Sequence, residues 1–78
     1  MSVTAYVLIQ TEVGRAEKVA TAARAIAGVV DADNVAGPYD VIVKTEAESL
    51  DELGQLVVSA IQKVEGITRT FTCPIVNL

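Results

Sequence analysis

The sequence predicts an α+β sandwich in the order βαββαβ, an antiparallel four-stranded sheet with two helices on one face. Three observations point there. Four stretches rich in β-branched residues are bounded by turn residues. Two stripes of apolar residues recur at helical spacing, one after the first strand and one after the third. Only the Ala36-Gly37-Pro38 turn separates the middle two strands, which makes them a hairpin.

Val3 to Gln10 (VTAYVLIQ) reads as the first strand, with Val3, Ala5, Val7 and Ile9 on one face and Tyr6 and Leu8 on the other. From about Val13 to Ala27 the period changes, and Ala16, Val19, Ala20, Ala23, Ile26 and Ala27 fall on one helical stripe. Thr11 or Glu12 is expected to open this helix and Gly28 to close it in a left-handed conformation. The alanines let the helix lie close to the sheet. Val29 to Val35 (VVDADNV) is a weaker strand, its alternation blurred by Asp31, Asp33 and Asn34. Tyr39 to Glu46 (YDVIVKTE) is a strong one. Ser49 and Glu52 form a capping box ahead of Leu50, Leu53, Val57, Ala60, Ile61 and Val64, the stripe of the second helix, which Gly66 ends. Ile67 to Val76 is the last strand. Pro74 lacks an N–H and so places it at a sheet edge or a bulge.

This order is the ferredoxin-like split βαβ arrangement. Two right-handed crossovers put both helices on one face of the sheet and leave the other bare. The strands stay apolar on both faces, Val7 and Ile9 against Tyr6 and Leu8 in the first, so a second chain is expected to cover the bare one. The composition agrees. A chain of 78 residues is marginally stable by itself, and small folds recruit disulfides, metals or partner chains. With one cysteine and no histidine, neither an intrachain disulfide nor a zinc site is expected. The hydrophobic fraction of 51% and mean hydropathy of +0.45 leave apolar surface for an interface. The net charge of −4 and scattered Arg15, Lys18, Arg24, Lys44, Lys63 and Arg69 argue against direct nucleic-acid binding, which needs a basic face. No apolar run approaches the ~20 residues of a membrane span. Met1-Ser2-Val3-Thr4 does not open a signal peptide. A cytoplasmic location is expected.

Catalytic groups are scarce. Histidine, the commonest general acid–base residue, is absent. Cys73 lies between Phe71 and Ile75 at two-residue spacing and reads as a packing thiol. Asp31 and Asp33 read as the charges of a solvated edge strand, and the acids from Glu46 to Glu52 as partners of a helix N-terminus. The five glycines never form a phosphate-binding run. Two features remain. Thr68, Thr70 and Thr72 share one face of the last strand, opposite the mostly apolar Ile67, Phe71, Cys73 and Ile75, so the threonine side reads as the wetter one. At the hairpin, Gly37 offers backbone amides and Asp40 a carboxylate. A carboxylate suits an α-ammonium, while amides and hydroxyls suit an α-carboxylate, so the two features together suit a small zwitterion.

The stretches VAGPYDVIVKTEAES and VEGITRTFTCPIVNL, in this βαββαβ order, resemble the effector-binding domain of the Lrp/AsnC regulators, also called the RAM domain. The family's G-x-[YF]-D turn before the third strand is matched by Gly37-Pro38-Tyr39-Asp40. Its PGV-x-x-T-x-T ending is matched by Gly66-Ile67-Thr68-Arg69-Thr70-Phe71-Thr72, with Glu65 where the proline usually stands. AYVLIQTEVGRAEKVATAARAIAGV is similar to the family's first strand and helix, so the resemblance spans the whole chain as one domain, residues 1–78. It implies homodimers packed sheet to sheet, rings of such dimers, and amino acids or related metabolites bound in clefts between dimers. Carried over, the ligand contacts are Gly37, Tyr39, Asp40, Thr70 and Thr72, with Pro38 at a variable position of the turn. No catalytic residue, metal or cofactor is implied. Typical members also carry an N-terminal helix-turn-helix domain. This chain starts at the first effector-domain strand and is expected to act as a stand-alone module, sensing a metabolite or joining full-length Lrp/AsnC regulators in mixed oligomers. A third expectation, a small enzyme of the dimeric α/β-barrel type, shares the topology but lacks the histidine or comparable base such enzymes usually need.

Overall fold

The computed structural model describes residues 2–76. Four strands form one antiparallel sheet in the order β2-β3-β1-β4: β1 (Val3–Thr11), β2 (Val29–Asn34), β3 (Val41–Ala47) and β4 (Ile67–Pro74). The two helices cover one face, which is the ferredoxin-like architecture. β1 is central, pairing with β3 from Val3↔Ala47 to Ile9↔Val41 and with β4 from Ala5↔Pro74 to Gln10↔Arg69. Its alternation decides the layering. Ala5, Val7 and Ile9 are fully buried with Val41, Val43 and Ala32 under the helices. Tyr6, Leu8 and Gln10 point the other way, where the described residues supply no covering layer.

The first helix, α1 (Ala16–Arg24), is shorter at both ends than the apolar stripe predicts. Thr11 is the last residue of β1, and Gly14 turns the chain with φ +80°. Glu12 donates its N–H to the Gly66 carbonyl (2.8 Å) and accepts from Arg15 N–H (3.0 Å), so these residues are held in a turn and cannot open the helix. At the far end, Ala25 and Ile26 N–H donate to the Ala22 and Ala23 carbonyls, tightening the chain after Arg24. Gly28 does take the expected positive φ (+96°), but beyond this turn rather than at the helix end. Val19, Ala20 and Ala23 carry the buried stripe.

The second helix, α2, is one continuous segment of three pieces: α-helical Leu50–Glu52, π-helical Leu53–Val58 and α-helical Ser59–Gln62. Ser49 is its N-cap, its Oγ accepting from Glu52 N–H at 3.1 Å. The buried side chains Leu53, Val57 and Ile61 recur at steps of four. That spacing overshoots the 3.6 residues of an α-helical turn. The wider i→i+5 turn, marked by Ser59 N–H donating to Gly54 O, keeps them aligned on the sheet. β4 pairs only with β1 and is an edge strand, the position Pro74 requires. β2 is the other edge, with Asp31 and Asp33 exposed on it.

Thr45 is a fully buried polar residue in this apolar layer, and its Oγ1 donates to the Ala5 carbonyl at 2.9 Å. Thr45→Val keeps the shape and removes the bond. It is expected to cost about 1–2 kcal/mol in a urea titration, the range for a buried acceptor losing its partner. No loss of stability would mean that the bond contributes nothing net.

Candidate functional site

The hairpin between β2 and β3 is fixed by bonds to β1. Gly37 has φ +148°, and a Cβ there would meet nothing within 4 Å, so glycine serves the backbone and not a close packing contact. Gln10 Nε2 donates to the Pro38 carbonyl at 3.0 Å. Asp40 donates its N–H to the Ile9 carbonyl (2.9 Å) and accepts from Val35 N–H at its own carbonyl (2.9 Å). Its half-buried carboxylate accepts at Oδ2 from Thr11 N–H (2.8 Å) and Thr11 Oγ1 (3.4 Å). These bonds hold Tyr39 and Asp40 just ahead of β3, which begins at Val41 rather than at Tyr39. Gln10 and Thr11 are therefore the anchors of the turn. They lie 28 and 29 residues from their partners, and no local sequence signal marks them.

Tyr39 packs edge-on against Phe71 of β4, with ring centroids 5.9 Å apart and planes at 76°. Phe71 pairs with Leu8 and so lies on the open face. Its ring also carries the Arg69 guanidinium, 4.7 Å from the centroid. The threonines lie on the other side. Thr70 pairs with Ile9 and Thr72 with Val7, both residues of the helix-covered face. Thr70 is half-buried, its Oγ1 accepting from Gln62 Nε2 at 3.3 Å, whereas Thr72 is exposed.

Within one chain the sheet thus separates Tyr39 from the Thr70 and Thr72 row. Gly37, Pro38, Tyr39 and Asp40 stay together at one sheet end, and Thr70 reaches the same end because it is registered with Ile9. Cys73, expected as a packing thiol, is exposed on the open face opposite Tyr6. Two surface depressions lie elsewhere. One of about 450 Å³ is lined by Gly28, Val29, Glu46 and Glu52, and another lies on α1 around Lys18 and Thr21. Among the described residues, no three His, Cys, Asp or Glu side chains converge as metal ligands. Among the described residues, no helix is long and apolar enough to cross a membrane.

The family model of the Lrp/AsnC ligand binding domain matches residues 4–77. The chain belongs to the Lrp/AsnC family. An uncharacterised HTH-type transcriptional regulator of Pyrococcus furiosus is 32% identical over 75 residues, 92% of this chain and 50% of that protein. The chain spans about half the length of the curated relatives it matches. Among solved structures, a hypothetical protein of Pyrococcus horikoshii superposes with a TM-score of 0.86 at 34% identity, over 97% of this chain and 92% of that one. A transcriptional regulator of Neisseria meningitidis, solved as a complex with L-Met, shares the fold at 12% identity, with a TM-score of 0.81 over 96% of this chain and 50% of that one. The Lrp/AsnC ligand-binding domain is a regulatory domain, and the curated relatives bear the name of transcriptional regulators.

Proposed function

We propose that this chain is a non-enzymatic amino-acid-sensing domain that self-associates through its open sheet face and modulates transcription regulators in the cytoplasm. The observation that carries the reading is the hydrogen-bonded Gly37–Asp40 turn beside an uncovered apolar sheet face, in a chain of a ligand-binding family. The ligand site takes Gly37, Pro38, Tyr39 and Asp40 from one chain. Thr70 and Thr72 line it from the opposite side of the sheet, so the cleft closes when dimers meet. The L-Met complex of the Neisseria regulator makes amino acids the first ligands to try.

Calorimetric titration against the amino acids at millimolar concentration tests the reading. Binding heat with a matching thermal shift supports it, and silence from all of them removes the sensing role. Asp40→Asn is the informative variant, because an amide oxygen can still accept from Thr11 N–H while the charge is gone. It is expected to weaken amino-acid binding about 10- to 100-fold, the worth of a hydrogen bond to a charged group, with the oligomer unchanged. Binding equal to the parent chain would take Asp40 out of the site.

A second reading is favoured by the match to half of each HTH-type relative. In it the chain joins full-length Lrp/AsnC regulators in mixed oligomers without binding a ligand. Co-purification with such a regulator, in the absence of any amino-acid heat, would select it.

A further inference from the structure

The β2 edge of the sheet is closed by the chain's own side chains. Val35 N–H donates to the Asp40 carbonyl at 2.9 Å. Bonded and non-bonded positions alternate along an antiparallel pair. Asp33↔Ile42 is therefore bonded across to β3, whereas Asn34↔Val41 and Ala32↔Val43 are not. The backbone N–H and C=O of Ala32 point away from β3, into the free edge of β2. Both are already taken. Ala32 N–H donates to Asp31 Oδ1 at 2.9 Å. Ala32 C=O accepts from Arg24 twice, from Nη2 at 2.6 Å and from Nε at 3.1 Å, one donor for each lone pair of the oxygen. Arg24 is the last residue of α1 and reaches the edge from the helix layer. Further along, the register shifts between Val29 and Asp31, and Val29 N–H donates back to the Ile26 carbonyl at 3.1 Å.

We propose that Arg24 and Asp31 form a latch that holds the β2 edge shut against strand addition by a second copy of this chain. Water would satisfy an exposed N–H and C=O equally well, so what the two side chains add is exclusion. An open edge strand is a template for another chain. With the latch removed, Ala32 of two copies can exchange N–H···O=C bonds about a two-fold axis, β2 antiparallel to β2, and two four-stranded sheets become one of eight strands. In that pairing Asp31 stands opposite the second copy's Asp33. The carboxylate that takes the Ala32 N–H therefore also opposes a like charge, twice in each pair, and directly opposed like charges destabilise paired strands. The latch is separate from the open face and from the Gly37–Asp40 turn, and it holds whether or not either has an occupant.

Sedimentation velocity on the variant Arg24→Met/Asp31→Val tests the latch. Both positions are exposed, and circular dichroism checks that the variant folds. It is expected to form assemblies of at least twice the parental mass at equal concentration, with the Ala32 amide exchanging more slowly as concentration rises. Arg24→Lys, which keeps one donor for the Ala32 carbonyl, is expected to keep the parental mass. A folded double variant of parental mass, or a larger mass without protection at Ala32, would overturn the proposal. Nuclear magnetic resonance on the parent chain tests the clamp without any substitution. Arg24 Nε–H is expected to exchange with water at least about tenfold more slowly than that of Arg69, the worth of one hydrogen bond to a charged group, because the Arg69 guanidinium lies over the Phe71 ring rather than on a carbonyl. Equal exchange at the two arginines would show that Arg24 does not hold the edge.

Discussion

Gly28→Ala is expected to lower stability by about 2–5 kcal/mol, the largest loss from adding a single methyl group to this chain. Two costs combine. Gly28 has φ +96°, where an L side chain costs roughly 1–2 kcal/mol. A Cβ there would clash with Val57 Cγ2 and stand 3.2 Å from the Glu46 carbonyl oxygen. Overpacking of this kind costs typically about 1–3 kcal/mol. The backbone cannot easily step aside, because the Gly28 carbonyl accepts Glu46 N–H at 2.8 Å. Gly14 is the control. It also has positive φ (+80°), but a Cβ there would meet nothing within 4 Å, so Gly14→Ala carries the backbone cost alone. In urea titrations the Gly28 variant is expected to lose at least about 1 kcal/mol more than the Gly14 variant, matching the lower end of the overpacking range. Adding Val57→Ala to Gly28→Ala is expected to restore part of the loss, as a double-mutant cycle on contacting residues should show. Equal losses at Gly14 and Gly28 would remove the steric argument.

Local signals in the sequence carried the element order, the Ser49 cap and the edge position of β4. Each needs only neighbours a few residues away: a period, a serine three residues before a glutamate, a proline in a strand. The start of α1 was not legible in this way. Glu12 is held by the carbonyl of Gly66, a contact that exists only after β4 has docked against β1. The Thr11–Asp40 bond escapes for the same reason, and it gives the Asp40 carboxylate a structural duty beside the proposed binding one.

The threonine row is more instructive. Alternation correctly puts Thr70 and Thr72 on one face, but it does not say which face the helices cover. The apolar set Phe71, Cys73 and Ile75 resembles a core face, so the threonines read as the wet side. The register with Ile9 and Val7 puts Thr70 and Thr72 on the helix-covered face instead, although Thr72 stays exposed there. β4 lies at the sheet edge, where most side chains of either parity stay exposed. There, apolar character reflects what a second chain is to cover, and hydrophobicity in one sequence cannot separate that from an internal core.

Leu8→Glu is expected to turn the self-associated protein into a folded monomer. Leu8 is the centre of the open face, half-buried among Ile42, Phe71 and their neighbours within one chain, whereas Ile9 beside it is fully buried under the helices. A carboxylate at position 8 can therefore stay in water in the isolated chain, and the fold is kept. In the proposed dimer the same carboxylate is shut away from water by the second chain's apolar face. An uncompensated buried charge costs about 3–5 kcal/mol, so the dissociation constant should rise more than about a hundredfold. Light scattering should report the monomer mass, with the far-ultraviolet circular dichroism of the parent. Amino-acid binding should fall in parallel, because the proposed cleft exists only between dimers. If Leu8→Glu keeps the parental mass, the open face is not the interface. If it becomes a monomer but binds amino acids as before, the site is complete within one chain, and Thr70 and Thr72, across the sheet from Tyr39, have no place in it.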